Sequence, residues 1–195
     1  MIKALFKFAK HNEPQPVVDI DTTSSSNSVF KELSPFILRI PFAVEFNPHG
    51  VIFENLWQYS KVYLQHVNKN GFPNAGWFKW REAGLKLNTP VRYPMGKGVK
   101  AEYSYWNGER LSYVEARKAI YVPIYSKYVG QTSAFKRLQS LYTEGQNIIL
   151  RDYDAYDHVV LGMTLKDVIN NPDRKMGHAF VLVMMLTGVL EECLK

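Results

Sequence analysis

Apolar and polar positions along this chain follow two rhythms, and the switches between them divide it into elements. The opening "MIKALFKFAK" threads Lys3, Lys7 and Lys10 through apolar residues and predicts a first strand. Residues 11–30, "HNEPQPVVDIDTTSSSNSVF", combine two prolines with a Ser/Thr/Asn cluster, the composition of a surface loop. "FILRIPFAVEFN" (36–47) is rich in β-branched and aromatic residues, and "NPHG" supplies turn chemistry before "VIF", so two strands joined by a turn are expected. A helix over about 53–68 follows, because Leu56, Ser60, Tyr63, Leu64 and Val67 keep the 3.6 period and "NKNG" ends it. Its apolar face packs, and its polar stripe looks elsewhere.

Residues 71–98 are rich in aromatics and breakers and allow one short helix, over about 75–83. In "LSYVEARKAIYVPIYSKYV" (111–129), Ser112 and Glu115 have the capping-box spacing and Pro123 predicts a kink or a division. "TSAFKRLQSLYTEG" (132–145) is a helix ended by Gly145, and "NIILRDYD" (147–154) is a buried strand that reaches its edge in acids. "TLKDVINNP" is a short helix stopped by Pro172, and "HAFVLVMMLTGVLEECLK" is a core helix. The expected fold class is α+β, one mainly helical domain over residues 1–195 with a few short strands and its core in 31–190.

Composition narrows the function classes. A 46% hydrophobic, 14% aromatic chain of 195 residues can bury a sizeable core, and 24 basic against 18 acidic side chains leave +6, suited to a polyanionic or phosphate-bearing partner. The longest apolar run, 179–186, is far short of the roughly 18 residues that span a bilayer, so no membrane is expected. The N-terminus lacks the uninterrupted apolar stretch of a signal peptide, and the single Cys193 reads as a reduced thiol. Together they place the protein in a cytoplasm.

Four constellations carry candidate chemistry. Glu54, Gln58 and Lys61 stand in file, with seven residues, roughly 10.5 Å of helix axis, between the carboxylate and the ammonium. Trp57, Tyr59 and Tyr63 border them; the alternative is a solvated helix face. "LRDYDAYDH" gathers Asp152, Asp154, Asp157 and His158 after a buried strand, at a spacing that matches no EF-hand or zinc pattern; capping and loop salt bridges are the alternative, and no metal or cofactor is expected. "RYPMGKG" (92–98) brackets Lys97 with glycines beside Arg92, a phosphate-binding loop or an ordinary turn. His178 opens the last helix beside Arg174 and Lys175, as an anion site or a simple cap. Cys193 lies inside the terminal helix, which argues against a nucleophilic thiol.

"SPFILRIPFAVEFNPHGVIFENLWQYSKVY" resembles the opening of the NADAR (YbiA-like) family, whose strand pair leads to a helix carrying Glu, Gln four residues later and Lys three after that. "IYVPIYSKYV", "AFKRLQSLYTEG", "RDYDAYD" and "GHAFVLVMML" resemble later family segments, and the likeness covers residues 34–187. The chain departs from the family where Asp154 is followed by Ala155 instead of Trp-Gly and where His178 replaces an Asn. The resemblance implies hydrolysis of N-glycosidic bonds: removal of ADP-ribose from guanine bases in DNA, reversing a DarT-type toxin, as bacteriophages do in a host cytoplasm. Glu54, Lys61 and Asp154 would be catalytic, and Gln58, Trp57, Arg92, Lys97, Trp106 and His178 would bind substrate. The partner would be ADP-ribosylated single-stranded DNA, with ADP-ribose as product. The alternatives are an N-glycosidase of a phosphorylated riboflavin-pathway or nucleoside-like metabolite, and a non-catalytic ADP-ribose or nucleic-acid binding protein.

Overall fold

A computed structural model describes residues 1–42 and 47–195. The fold is α+β, with 38% helix and 15% strand. In chain order the elements are β1 (Ile2–Phe6), β2 (Val18–Asp21), a 3-10 turn (Val29–Leu33), β3 (Arg39–Ile40), β4 (Val51–Ile52), α1 (Phe53–Gln58), β5 (Lys61–Val62) and a second 3-10 turn (Leu64–His66). There follow α2 (Ala75–Leu85), β6 (Tyr103–Trp106), β7 (Glu109–Leu111), α3 (Tyr113–Ala116), a π turn (Arg117–Tyr121) and α4 (Val122–Val129). The chain ends with α5 (Ser133–Thr143), β8 (Ile148–Asp152), α6 (Leu165–Asn170), α7 (His178–Leu186) and α8 (Leu190–Leu194).

These elements form two compact units. The first comprises Met1–Ser34 and Val122–Lys195. Its sheet has the order β1-β8-β2, all parallel, with Ile2 and Val18 both opposite Ile148. Every residue of β8 is buried, as a central parallel strand requires. The surface loop expected over 11–30 therefore contains a strand. Its "VDID" alternates, with Ile20 in the core while Asp19 and Asp21 meet cations: Arg151 grips Asp19 through Nε (2.8 Å) and Nη2 (2.7 Å), and Lys7 Nζ lies 3.0 Å from Asp21. Arg151 Nη1 also donates to the carbonyls of Phe6 (3.3 Å) and Ala9 (2.6 Å), so one guanidinium ties both outer strands to the central one.

The terminal helix expected over 178–195 is broken at Gly188, whose φ of +75° suits the left-handed stop of α7. The capping box at Ser112 is present. Pro123 can give no N–H to the preceding turn, and the helix widens to a π turn immediately before it, where the hydrogen-bond ladder changes register.

The second unit comprises Pro35–Tyr121. It holds the hairpin β3-β4 and an antiparallel sheet of order β5-β6-β7. The expected strand at 36–47 is observed only as Arg39–Ile40, and its positions 43–46 lie outside the described residues. The helix expected over 53–68 ends at Gln58. Lys61 pairs with Ser104 and Val62 with Tyr103, and the Trp77 indole donates to the Lys61 carbonyl at 2.9 Å, so tertiary pairing overrides the helical period. Leu64, counted as a packing position, is 76% exposed.

Candidate functional site

β4 runs directly into α1, whose first turn has no side-chain cap. The carbonyls of Leu38 (2.9 Å) and Pro35 (3.0 Å) accept from the N–H groups of Phe53 and Glu54 instead, which fixes Glu54 in the first turn, where the helix dipole favours a carboxylate. All six residues of α1 are buried, with Glu54 5% and Gln58 7% exposed, so the file is no solvated face. Gln58 Nε2 donates to Glu54 Oε1 at 2.8 Å, and Gln58 Oε1 accepts from Lys61 Nζ at 2.7 Å. These two bonds fix which way the amide points. Lys61 stands on the following strand and folds its side chain back, so the amine and the carboxylate share one amide in place of flanking two turns of helix.

Trp57 borders this file, its ring 5.2 Å from Lys61 Nζ. It packs against Tyr121 (5.1 Å) and Tyr113 (6.4 Å), and the buried Arg117 guanidinium lies 4.1 Å over the Tyr113 ring. Two cations thus sit on adjacent rings of one aromatic cluster. Tyr59 and Tyr63 face another way. They surround Trp80, at 4.5 and 5.9 Å, and burial raises both phenol pKa values. The expected aromatic border is therefore Trp57 alone of the three.

In the first unit, the Asp152 carboxylate ends β8 and meets the start of α7. His178 Nδ1 lies 3.0 Å from Asp152 Oδ2, and Ala179 N–H donates to the same oxygen at 3.1 Å. His178 Nε2 lies 3.0 Å from the Thr22 carbonyl and 2.8 Å from Thr22 Oγ1. Since Thr22 Oγ1 gives its own proton to the Arg151 carbonyl, Nε2 must be the donor, and a carboxylate at Nδ1 requires a proton there too. His178 is an imidazolium. Burial opposes that charge, but the Asp152 carboxylate and the Thr22 carbonyl raise the His178 pKa above its ordinary value. Burial likewise pushes the Asp152 carboxyl up, while His178 and the N–H groups of Ala179 and Asp154 hold it down at about 2. Gly177 makes the approach feasible, because a Cβ there would lie 2.1 Å from Asp152 Oδ2.

The sequence-derived site residues are divided between the two units. Glu54, Gln58, Lys61 and Trp57 come together. His178, expected to contact substrate, has both ring nitrogens engaged within the protein and is 5% exposed. Asp154 is half-buried beside that pair: its N–H donates to Asp152 Oδ1 at 3.2 Å, and Lys175 Nζ lies 3.9 Å from its carboxylate. Asp157 turns to Lys3 Nζ at 2.7 Å, and among the described residues no three His, Cys, Asp or Glu converge in a metal-binding group. Arg92 is half-buried over the Tyr93 ring at 5.5 Å, and Lys97 is exposed between Gly96 and Gly98, both at positive φ. Trp106 stacks on Phe42 at 5.6 Å.

Sequence reasoning missed Asp152 as the partner of His178, because their contact spans 26 positions and no local spacing announces it. It also missed Arg81, which the "WFKWRE" run marks only as one more cation among aromatics. No curated protein and no solved structure matches the chain. Residues 4–182 match the profile of DUF6939, described as a family of unknown function, and the chain belongs to that family.

Proposed function

We propose that the protein is an N-glycosidase that removes ADP-ribose from guanine bases in DNA, reversing DarT-type modification. The observation that carries this reading is the buried file in which one amide holds the Lys61 amine at 2.7 Å and the Glu54 carboxylate at 2.8 Å. The NADAR-like order of Glu, Gln and Lys supplies the substrate, and the excess of 24 basic over 18 acidic residues suits a nucleic acid.

ADP-ribose on the exocyclic amine of guanine is an aminal. Opening of its ribose ring passes the amine proton to the ring oxygen and leaves a C1′=N imine. The Lys61 amine adds to C1′ and passes its two protons in turn to the guanine nitrogen, the second as the C1′–N bond breaks, so that guanine leaves with its amine restored and a C1′=N Schiff base joins Lys61 to the ribose. Water adds across that Schiff base, its two protons return to the Lys61 nitrogen as the amine departs, and the C1′ aldehyde left behind recloses as free ADP-ribose. Glu54 serves as acceptor and donor for the sugar hydroxyl proton, and Gln58 keeps the amine and the carboxylate in register.

Incubating the protein with guanine-ADP-ribosylated and thymine-ADP-ribosylated single-stranded DNA tests the reading. Release of ADP-ribose from the guanine adduct, abolished in a folded Glu54→Gln variant, is the expected result. No release from either DNA would refute it, and turnover restricted to a phosphorylated nucleoside-like metabolite would transfer the same file to the alternative substrate.

A further inference from the structure

A second feature of the Pro35–Tyr121 unit takes no part in those bond changes, although it includes Trp106, a substrate-binding residue by the resemblance. Arg81, on α2, has its guanidinium carbon 5.9 Å from the Phe42 ring, 5.5 Å from Trp77 and 5.5 Å from Trp106. Its Nη1 is closed off from solvent with no acceptor among the described residues. Burial draws the Arg81 pKa down to about 10, and among the described residues no carboxylate counters that. Aromatic faces stabilise a cation only weakly, so a desolvated guanidinium with an idle N–H is an unfavourable arrangement for the fold alone. Such arrangements concentrate at sites that bind something.

Arg81 lies in a cleft of about 180 Å³ between α2, which gives Trp77 and Phe78, and the β6-β7 hairpin, which gives Tyr105, Trp106 and Asn107. Asn107 (φ 49°) and Gly108 (φ 88°) make the tight hairpin turn that brings Trp106 to its tip. Phe78 is 52% exposed at the cleft. Trp77 cannot swing out, because its indole N–H is held by the Lys61 carbonyl.

We propose that this cleft is a nucleotide subsite, in which a nucleobase lies against the aromatic walls and its phosphate accepts hydrogen bonds from Arg81. A guanidinium fork matches a phosphate in two parallel bonds, and exposed rings take up a base by stacking. The volume of about 180 Å³ is below the roughly 300 Å³ at which drug-sized pockets begin, so the cleft takes the base and the phosphate edge at Arg81, leaves the sugar at its mouth, and has no room for a dinucleotide. The inference stands on the cleft and not on the glycosidase reading.

Titration of the full chain followed by tryptophan fluorescence and calorimetry tests it, with 5′-GMP, guanosine, inorganic phosphate and a ten-nucleotide single-stranded DNA as probes. The expected result is binding of 5′-GMP, the oligonucleotide or both, with guanosine and phosphate each about tenfold weaker or more, since neither carries both recognised parts. Binding of the oligonucleotide alone identifies a strand as the natural source; binding of 5′-GMP as well identifies free nucleotides. Arg81→Met should weaken nucleotide binding about tenfold or more while the melting temperature holds or rises, because an uncompensated cation is removed. Arg81→Lys should lose most of the same affinity, since an ammonium lacks the fork. No binding of either nucleotide probe, or undiminished binding in Arg81→Met, overturns the proposal. A fall in melting temperature with binding intact assigns Arg81 to the fold and overturns it as well. Binding is read without turnover, so a protein that binds nucleotide but releases no ADP-ribose refutes the glycosidase reading alone, and the reverse refutes only the subsite.

Discussion

Replacing Asp152 by Asn tests the buried pair at the start of α7. The carboxyl is held at about 2 against an ordinary 3.8, a difference that corresponds to about 2 kcal/mol of folding stability. Removing one partner of a buried ion pair costs about 3–5 kcal/mol, because the other charge is left uncompensated. Asn keeps the size of Asp and can still accept from the Ala179 N–H, so the expected loss is at the lower end, about 3 kcal/mol. The sign of the pH dependence follows from both partners. The lowered Asp152 pKa contributes stability that is present above 3.8 and lost as pH falls toward about 2. The raised His178 pKa contributes stability that is full below 6.5 and lost as pH rises through the folded value. The pair therefore stabilises most between these limits. Urea denaturation followed by far-ultraviolet circular dichroism at pH 5 and pH 9 measures it, on the parent, Asp152→Asn and His178→Gln. The gap between parent and either variant should be widest at pH 5 and narrow at pH 9. A loss under about 1 kcal/mol at pH 5, or a gap indifferent to pH, would refute the assignment of His178 as an imidazolium.

Gly177→Ala should destabilise the same region by about 2 kcal/mol or more, since its Cβ would meet the Asp152 carboxylate at 2.1 Å and displace the pair; an unchanged melting temperature contradicts the close approach. Lys61→Arg should be nearly as inactive as Lys61→Ala, because a guanidinium offers no free amine, and borohydride added during turnover should leave a mass adduct on Lys61. Substantial activity in Lys61→Arg with no adduct in the parent removes the covalent route. Arg92→Gln and Lys97→Gln should each raise KM more than they lower kcat and reduce the salt slope of DNA affinity by about one; a pure kcat defect speaks against phosphate contact. Asp154→Asn, assayed on the guanine adduct, should abolish turnover in a folded protein, as the family resemblance implies, and full activity removes Asp154 from the reaction.

What the sequence made legible was what neighbouring residues decide among themselves. The Ser112 capping box and the glycine stop at Gly145 are local transactions and were readable from spacing. The Glu54-Gln58-Lys61 grouping was readable too, although the geometry behind it was not. A helical period through Leu64 and Val67 outweighed, on paper, the pairing of Lys61 with Ser104, which lies 43 positions further on. β2 was hidden for a similar reason: prolines and serines around "VDID" dominate the composition, while the strand exists because β8 and its Arg151 pair with it. Asp152 read as one acid of a cluster and His178 as an anion site or a simple cap, and only the fold reveals the charge they share.

The strand order β1-β8-β2 also has a consequence for how the chain is born. Neither N-terminal strand has the other as a neighbour; both depend on β8, so Ile2 and Val18 can find their partner only after Ile148 has left the ribosome. Long-range parallel pairing is slow to form, and a nascent chain exposes its unpaired edges until it does. Lys3 and Lys7 along β1 and its end, and Asp19 and Asp21 along β2, place opposite charges on those two waiting segments, which keeps them solvated through the interval; Lys7 and Asp21 can meet before the last strand arrives, and Asp19 is the group that its Arg151 then takes.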